Sequence, residues 1–214
     1  GSVMMPRASH LIAENKKDEF NRLIQKSYDF TLAIALPMTI GLIFCAPSLI
    51  TALCGVKFEH SILPSQIIAP IILLVAISNV FGIQVLFPKG KINIVTFCCC
   101  IGAVADLILN LCLIPFFSYI GTSIAYLGAE VATTVSMYFI GRKYIPIIYF
   151  KKSHLTYVLG CIVMAFALYG LSLLQLPTLT ILLLQGCCGV LAYFIILCIC
   201  KDEMLVQILS KIKL

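Results

Sequence analysis

The chain has 214 residues, 61% of them hydrophobic and 11% charged, with a formal net charge of +6. A soluble domain is ordinarily about half apolar and about a quarter charged; here the excess falls in runs of roughly 20 residues, the length of helix that crosses about 30 Å of hydrocarbon. The composition therefore specifies an all-α integral membrane protein. It excludes a lipid-exposed barrel, because the runs do not alternate with period two. It also excludes nucleic acid as a partner, because the basic residues sit in short segments between the runs with no nucleic-acid-binding motif beside them.

In chain order, residues 1–27 read as a juxtamembrane amphipathic segment. Leu11, Ile12, Phe20, Leu23, Ile24 and Tyr28 recur near helical spacing, and Lys16, Lys17, Asp18, Arg22 and Lys26 fill the other face. The opening residues, without a basic-then-apolar run, are not expected to act as a secretory leader. Gly1-Ser2, native or a cloning scar, supplies no initiator Met, and the expectation is a fragment of a longer protein. Residues 28–140 hold four spans. The first, about Thr31 to Leu53, contains Pro37, which removes a backbone hydrogen bond and bends the helix. The second, about Gln66 to Leu86, contains Pro70, the small pair Ser78 and Gly82, and two amides, Asn79 and Gln84, that line a cavity or bond a neighbouring helix. The third, about Ile92 to Ile114, is expected to stop at Pro115, and the fourth runs from about Tyr119 to Ile140. A basic connector covers 141–154, two further uncharged spans cover 155–200 with Gly160, Gly170, Gly186 and Gly189 available for packing, and 201–214 is a mixed-charge surface helix.

Counting Lys and Arg orients these six spans. Fourteen fall on one side of the membrane and Lys57 alone on the other, which places both ends of the chain in the cytoplasm.

The chemistry concentrates in spans three and four. Asp106 and Asn110 are four apart and share a helix face; Tyr126, Glu130 and Thr133 lie on one side of the next helix, with Ser123 and Met137 extending the stripe. A carboxylate within a span is costly and marks a substrate or ion pathway by default, the alternative being a hydrogen bond between helices. The eleven cysteines are read as small apolar packing residues, since no His completes a metal site beside them. Motifs of hydrolases, metalloproteases and nucleotide-binding loops are absent, and His10, His60 and His154 lie outside the spans without catalytic company. The expectation is a transporter and no enzyme, with no catalytic, cofactor-binding or metal set.

Several pieces then occur in an order that resembles a family. They are Val3-Met4-Met5-Pro6-Arg7-Ala8-Ser9, Leu36-Pro37 with Gly41, Ala46-Pro47, Gly55 with Phe58, Gln84-x-Leu86 before Gly90-Lys91, Asn110-Leu111-x-Leu113-Ile114-Pro115, and Gly121-Thr122-Ser123-Ile124-Ala125 with Glu130. Over residues 1 to about 150 the chain resembles the lipid-linked oligosaccharide flippases, the O-antigen (Wzx-type) branch of the multidrug/oligosaccharidyl-lipid/polysaccharide exporter superfamily. Asp106 departs from that pattern, where an Asn or a neutral residue is common. The resemblance implies most of the second lobe of a MATE-like two-lobed transporter, working with a missing N-terminal lobe of the same protein. It implies a multi-pass protein of the cytoplasmic membrane that moves an undecaprenyl-pyrophosphate-linked oligosaccharide outward during surface polysaccharide and lipopolysaccharide assembly, in contact with membrane lipids. Asp106, Asn110, Tyr126, Glu130, Asn79 and Gln84 are then candidates for a cavity or for coupling to H⁺ or Na⁺. Lys89, Lys91 and Arg142 are candidates for contact with the head group. The alternatives are a multidrug or cation antiporter of the same superfamily, or a membrane enzyme of polysaccharide assembly.

Overall fold

A computed structural model describes residues 4–149, 151–174 and 177–200; the expected surface helix at 201–214 lies outside them. Every regular element among the described residues is helical: α1 (Met4–Ala13), α2 (Lys17–Cys54), a 3-10 segment (Val56–Ser61), α3 (Ile62–Ile68), α4 (Ile71–Asn79) running into a π-helical segment (Val80–Leu86), α5 (Ile92–Gly141), α6 (Lys152–Ser172) and α7 (Thr178–Ile199). Five stretches are long and apolar enough to cross a membrane. One of them, α5, is 50 residues long, about 75 Å of helix at 1.5 Å per residue, more than twice the hydrocarbon thickness. It is broken at Ser118, where φ is 50° and ψ is −125°. Its arms, 92–117 and 119–141, are each long enough to span, which gives six spans in all.

Two boundaries differ from the sequence expectation. The break between spans three and four falls at Ser118, not at Pro115, which sits inside the helix. A proline withholds one N–H but keeps a helical φ, so it does not by itself reverse a chain. Likewise the amphipathic segment is two helices. Asn15 takes φ 58°, and the Lys16 N–H closes back on the Leu11 carbonyl at 2.9 Å, a left-handed helix end that asparagine tolerates well.

The described chain forms two compact units. The first comprises residues 4–32 and 70–149. Its α5 arms pack as an antiparallel hairpin on glycines. A Cβ on Gly121 would stand 2.6 Å from the Leu113 carbonyl oxygen, one on Gly128 would stand 2.6 Å from a Leu109 methyl, and one on Gly102 would overlap the Thr133 hydroxyl. Small residues let membrane helices approach closely. The unit also holds an aromatic cluster. Tyr149 meets Tyr28, Phe81 and Tyr138 edge-on, with centroids 5.9, 6.4 and 5.4 Å away. The buried Gln25 side chain pairs with the backbone of Ile148, accepting from its N–H at 2.8 Å and donating to its carbonyl at 3.3 Å. That double bond holds the segment after Gly141 against α2.

The second unit comprises residues 33–69, 151–174 and 177–200. Here α2 carries Pro37 and Pro47 without interruption, and the carbonyl that each proline leaves unbonded four residues back finds a side chain. Tyr193 donates its hydroxyl to the Ala33 carbonyl at 2.8 Å, and Gln66 donates its Nε2 to the Ile43 carbonyl at 2.9 Å. This is how membrane helices tolerate proline where no water reaches the backbone. α7 buries one residue every fourth position, Ile181, Gln185, Gly189, Tyr193 and Leu197. Gly160 and Gly189 provide the close contacts, to Tyr193 and to Leu168 and Met164, while Gly170 and Gly186 face open space.

Candidate functional site

Asp106 and Glu130 each sit near the midpoint of an α5 arm. The packing contacts on either side of them, Gly102 against Thr133 and Leu109 against Gly128, put the two carboxylates at the same level of the hairpin. Both are half-buried, and neither makes an ion pair or a side-chain hydrogen bond among the described residues. Asn110 donates its Nδ2 to the Asp106 carbonyl at 2.9 Å, while its buried Oδ1 has no partner among the described residues. The hairpin thus carries two carboxylates and a free amide oxygen near mid-depth. These are hard oxygen acceptors of the kind that suit a proton or an alkali cation better than soft metals. No cluster of three His, Cys, Asp or Glu residues occurs among the described residues.

The remaining candidates separate. Gln84 lies in the π-helical segment, where six of seven residues are buried, and its Oε1 accepts from the Ser27 hydroxyl at 2.5 Å. Its amide is bonded between helices. Asn79 and Tyr126 are exposed. The buried face of the second α5 arm is Ser123, Ala125, Ala129, Thr134 and Met137, so Ser123 and Met137 lie on it while Tyr126 is turned away.

At the basic connectors, Lys89 and Lys91 follow the π-helical segment in a turn that Gly90 makes possible at φ 67°. The Lys89 ammonium donates to the Tyr144 carbonyl at 2.6 Å and stands 4.9 Å from the centre of the Phe20 ring. Lys91 lies 5.2 Å from the Tyr144 ring. Burial, and next the nearby Lys17 charge, hold Lys89 below the ordinary lysine pKa. Arg142 is exposed. The sequence reading missed Ser27, Gln25, Gln66 and Tyr193. Tyr193 and Gln66 were visible as polar groups in or beside apolar runs, but their acceptors are set by tertiary contact.

The family model described as lipid II flippase MurJ matches residues 1–188. An uncharacterized membrane protein, MJ1068, of Methanocaldococcus jannaschii is 29% identical over 140 residues, covering 65% of this chain and 26% of that protein. A solved structure, lipid II flippase MurJ in an inward closed conformation, aligns with a TM-score of 0.79 at 17% identity, over 95% of this chain and 43% of that one. At that identity the likeness concerns the fold. The chain spans about a quarter of the curated relative that it matches and less than half of the solved structure.

Proposed function

Because the chain belongs to the lipid II flippase MurJ family, we propose that the complete protein carries a lipid-linked precursor across the cytoplasmic membrane, and that the cargo is lipid II rather than the O-antigen repeat unit implied by the sequence motifs. The family match over residues 1–188 carries this reading. It also favours a transporter over an enzyme of polysaccharide assembly and over a drug antiporter.

The physical task is to pass a polar, diphosphate-linked sugar through hydrocarbon while its polyprenyl tail stays in lipid. In our reading the six spans form one lobe of a two-lobed transporter and rock against a second lobe of the same protein. The basic connectors, with Lys89, Lys91 and Arg142, face the cytoplasm and attract the anionic head group. Asp106, Asn110 and Glu130 couple the cycle to a cation, H⁺ or Na⁺, whose charge offsets theirs at mid-depth.

The test is reconstitution of the complete protein into vesicles loaded with labelled lipid II, scored by the exposure of the head group to a membrane-impermeant hydrolase. Lipid II is expected to become accessible on the far leaflet. Movement only of a different lipid-linked sugar would reject lipid II as the cargo. Asp106→Asn and Glu130→Gln are expected to remove the dependence on an ion gradient; unchanged transport and ion dependence in both would reject the coupling role.

A further inference from the structure

A cavity of about 330 Å³ opens in the first unit beside Lys89, lined also by Lys17, Lys143, Asn15, Asn21 and Tyr144. Its walls come from the helix end at Asn15, the first turns of α2, the turn before α5 and the segment following Gly141. Each of those segments leads directly into a membrane helix, so the cavity lies where the spans meet water.

The charge within it is uncompensated. Three lysines line the space and no carboxylate does. Glu14 pairs with His10 and with Lys16, so this nearby carboxylate is already engaged outside the cavity. Lys89 is held in place by the Tyr144 carbonyl and the Phe20 ring. An ammonium has three N–H donors, and the Tyr144 bond uses one, leaving two. Asn15 and Asn21 add neutral donors. Burial first, and the Lys17 charge second, lower the affinity of Lys89 for its proton.

The volume is at the small end of ligand pockets. It suits a phosphate group with a short polar substituent, not a lipid-linked oligosaccharide. We propose that this cavity is a phosphate-anion site, in which Lys17, Lys89 and Lys143 hold the phosphate of an anionic phospholipid head group and Asn15 and Asn21 complete its hydrogen bonds. Free inorganic phosphate offers the same chemistry. The apolar Phe20, Ile145 and Pro146 in the wall favour the lipid, whose glycerol backbone is partly apolar.

The experiment uses the purified complete chain in phosphatidylcholine nanodiscs, titrated with short-chain phosphatidylglycerol and read by native mass spectrometry, with inorganic phosphate as competitor. A lysine near an anionic lipid surface contributes about 1 kcal/mol, which is about fivefold in affinity. Lys17→Gln with Lys143→Gln is therefore expected to weaken phosphatidylglycerol binding about 25-fold. Lys17→Arg with Lys143→Arg should retain it, and Arg22→Gln with Lys26→Gln, which removes equal charge outside the cavity, should change it less than about twofold. Displacement by millimolar phosphate would assign the site to free phosphate, and resistance to it would assign the site to the lipid. Equal loss in the two Gln pairs, or no loss in either, would reduce the binding to diffuse surface charge and overturn the site.

Discussion

The Tyr193 hydroxyl should matter to stability because of a proline 156 positions away. Pro37 has no N–H to give the Ala33 carbonyl, and Tyr193 donates to that carbonyl at 2.8 Å with both residues about 95% buried. Tyr193→Phe keeps the ring that packs on Gly160 and removes only the hydroxyl. A buried acceptor left unpaired costs about 1–3 kcal/mol in water-soluble proteins, and interhelical bonds in membranes reach about 1.7, so a loss of about 1–2 kcal/mol is expected here. Pro37→Ala restores a backbone N–H to the same carbonyl. In that background Tyr193→Phe should cost less than about 0.5 kcal/mol, giving a coupling energy near 1 kcal/mol. Other effects of each substitution, including any further contact of the hydroxyl, are common to both backgrounds and cancel. Reversible unfolding in mixed detergent–sodium dodecyl sulfate micelles gives the four free energies. An equal cost of Tyr193→Phe in both backgrounds would refute the view that the hydroxyl stands in for the missing N–H.

The same reasoning at Pro47 predicts that Gln66→Leu destabilises by about 1 kcal/mol and that Pro47→Ala relieves most of that loss, measured by the same cycle. Gly121→Ala is expected to cost about 1–3 kcal/mol, because the added methyl would meet the Leu113 carbonyl, backbone that cannot swing aside; Gly170→Ala, where nothing lies within reach, should be neutral in the same assay. For Lys89 the folded protein holds the proton more weakly than the unfolded chain does. The unfolded state therefore binds more protons between the lowered pKa and the ordinary 10.5, and stability should rise with pH across that window. The groups around it are Lys17, Lys143 and Tyr144. A thermal midpoint that rises with alkaline pH in the wild type and not in Lys89→Met would bear this out; identical pH profiles would contradict it.

Much of this protein is written in one dimension. Run length and low charge specify helices that cross a bilayer, since hydrocarbon admits no unpaired backbone and the helix pairs its own. Six crossings would put fourteen of the fifteen basic residues on one side, an asymmetry that supports that number by the same local logic. Gly55 and Gly90 were legible as motif residues, and both prove to hold positive φ, a backbone state that glycine enters without a Cβ clash. Asp106 and Glu130 were found because charge in an apolar run has few tolerable explanations.

Tertiary structure decided what these residues meet. Sequence spacing placed Pro115 as a helix stop, but the reversal falls at Ser118, where three glycine contacts pull the α5 arms together. Spacing along one helix put Tyr126 and Glu130 in one stripe with Ser123 and Met137; Ser123 and Met137 lie on the packed face, but Tyr126 is exposed. Spacing left Gln84 either lining a cavity or bonding a neighbouring helix, and Ser27, 57 positions away, supplies the bond. Helix periodicity says which residues share a side; it does not say which side another helix covers. That choice depends on where small residues permit close approach and where a carbonyl orphaned by proline needs a donor, and both are settled only between segments distant in the chain.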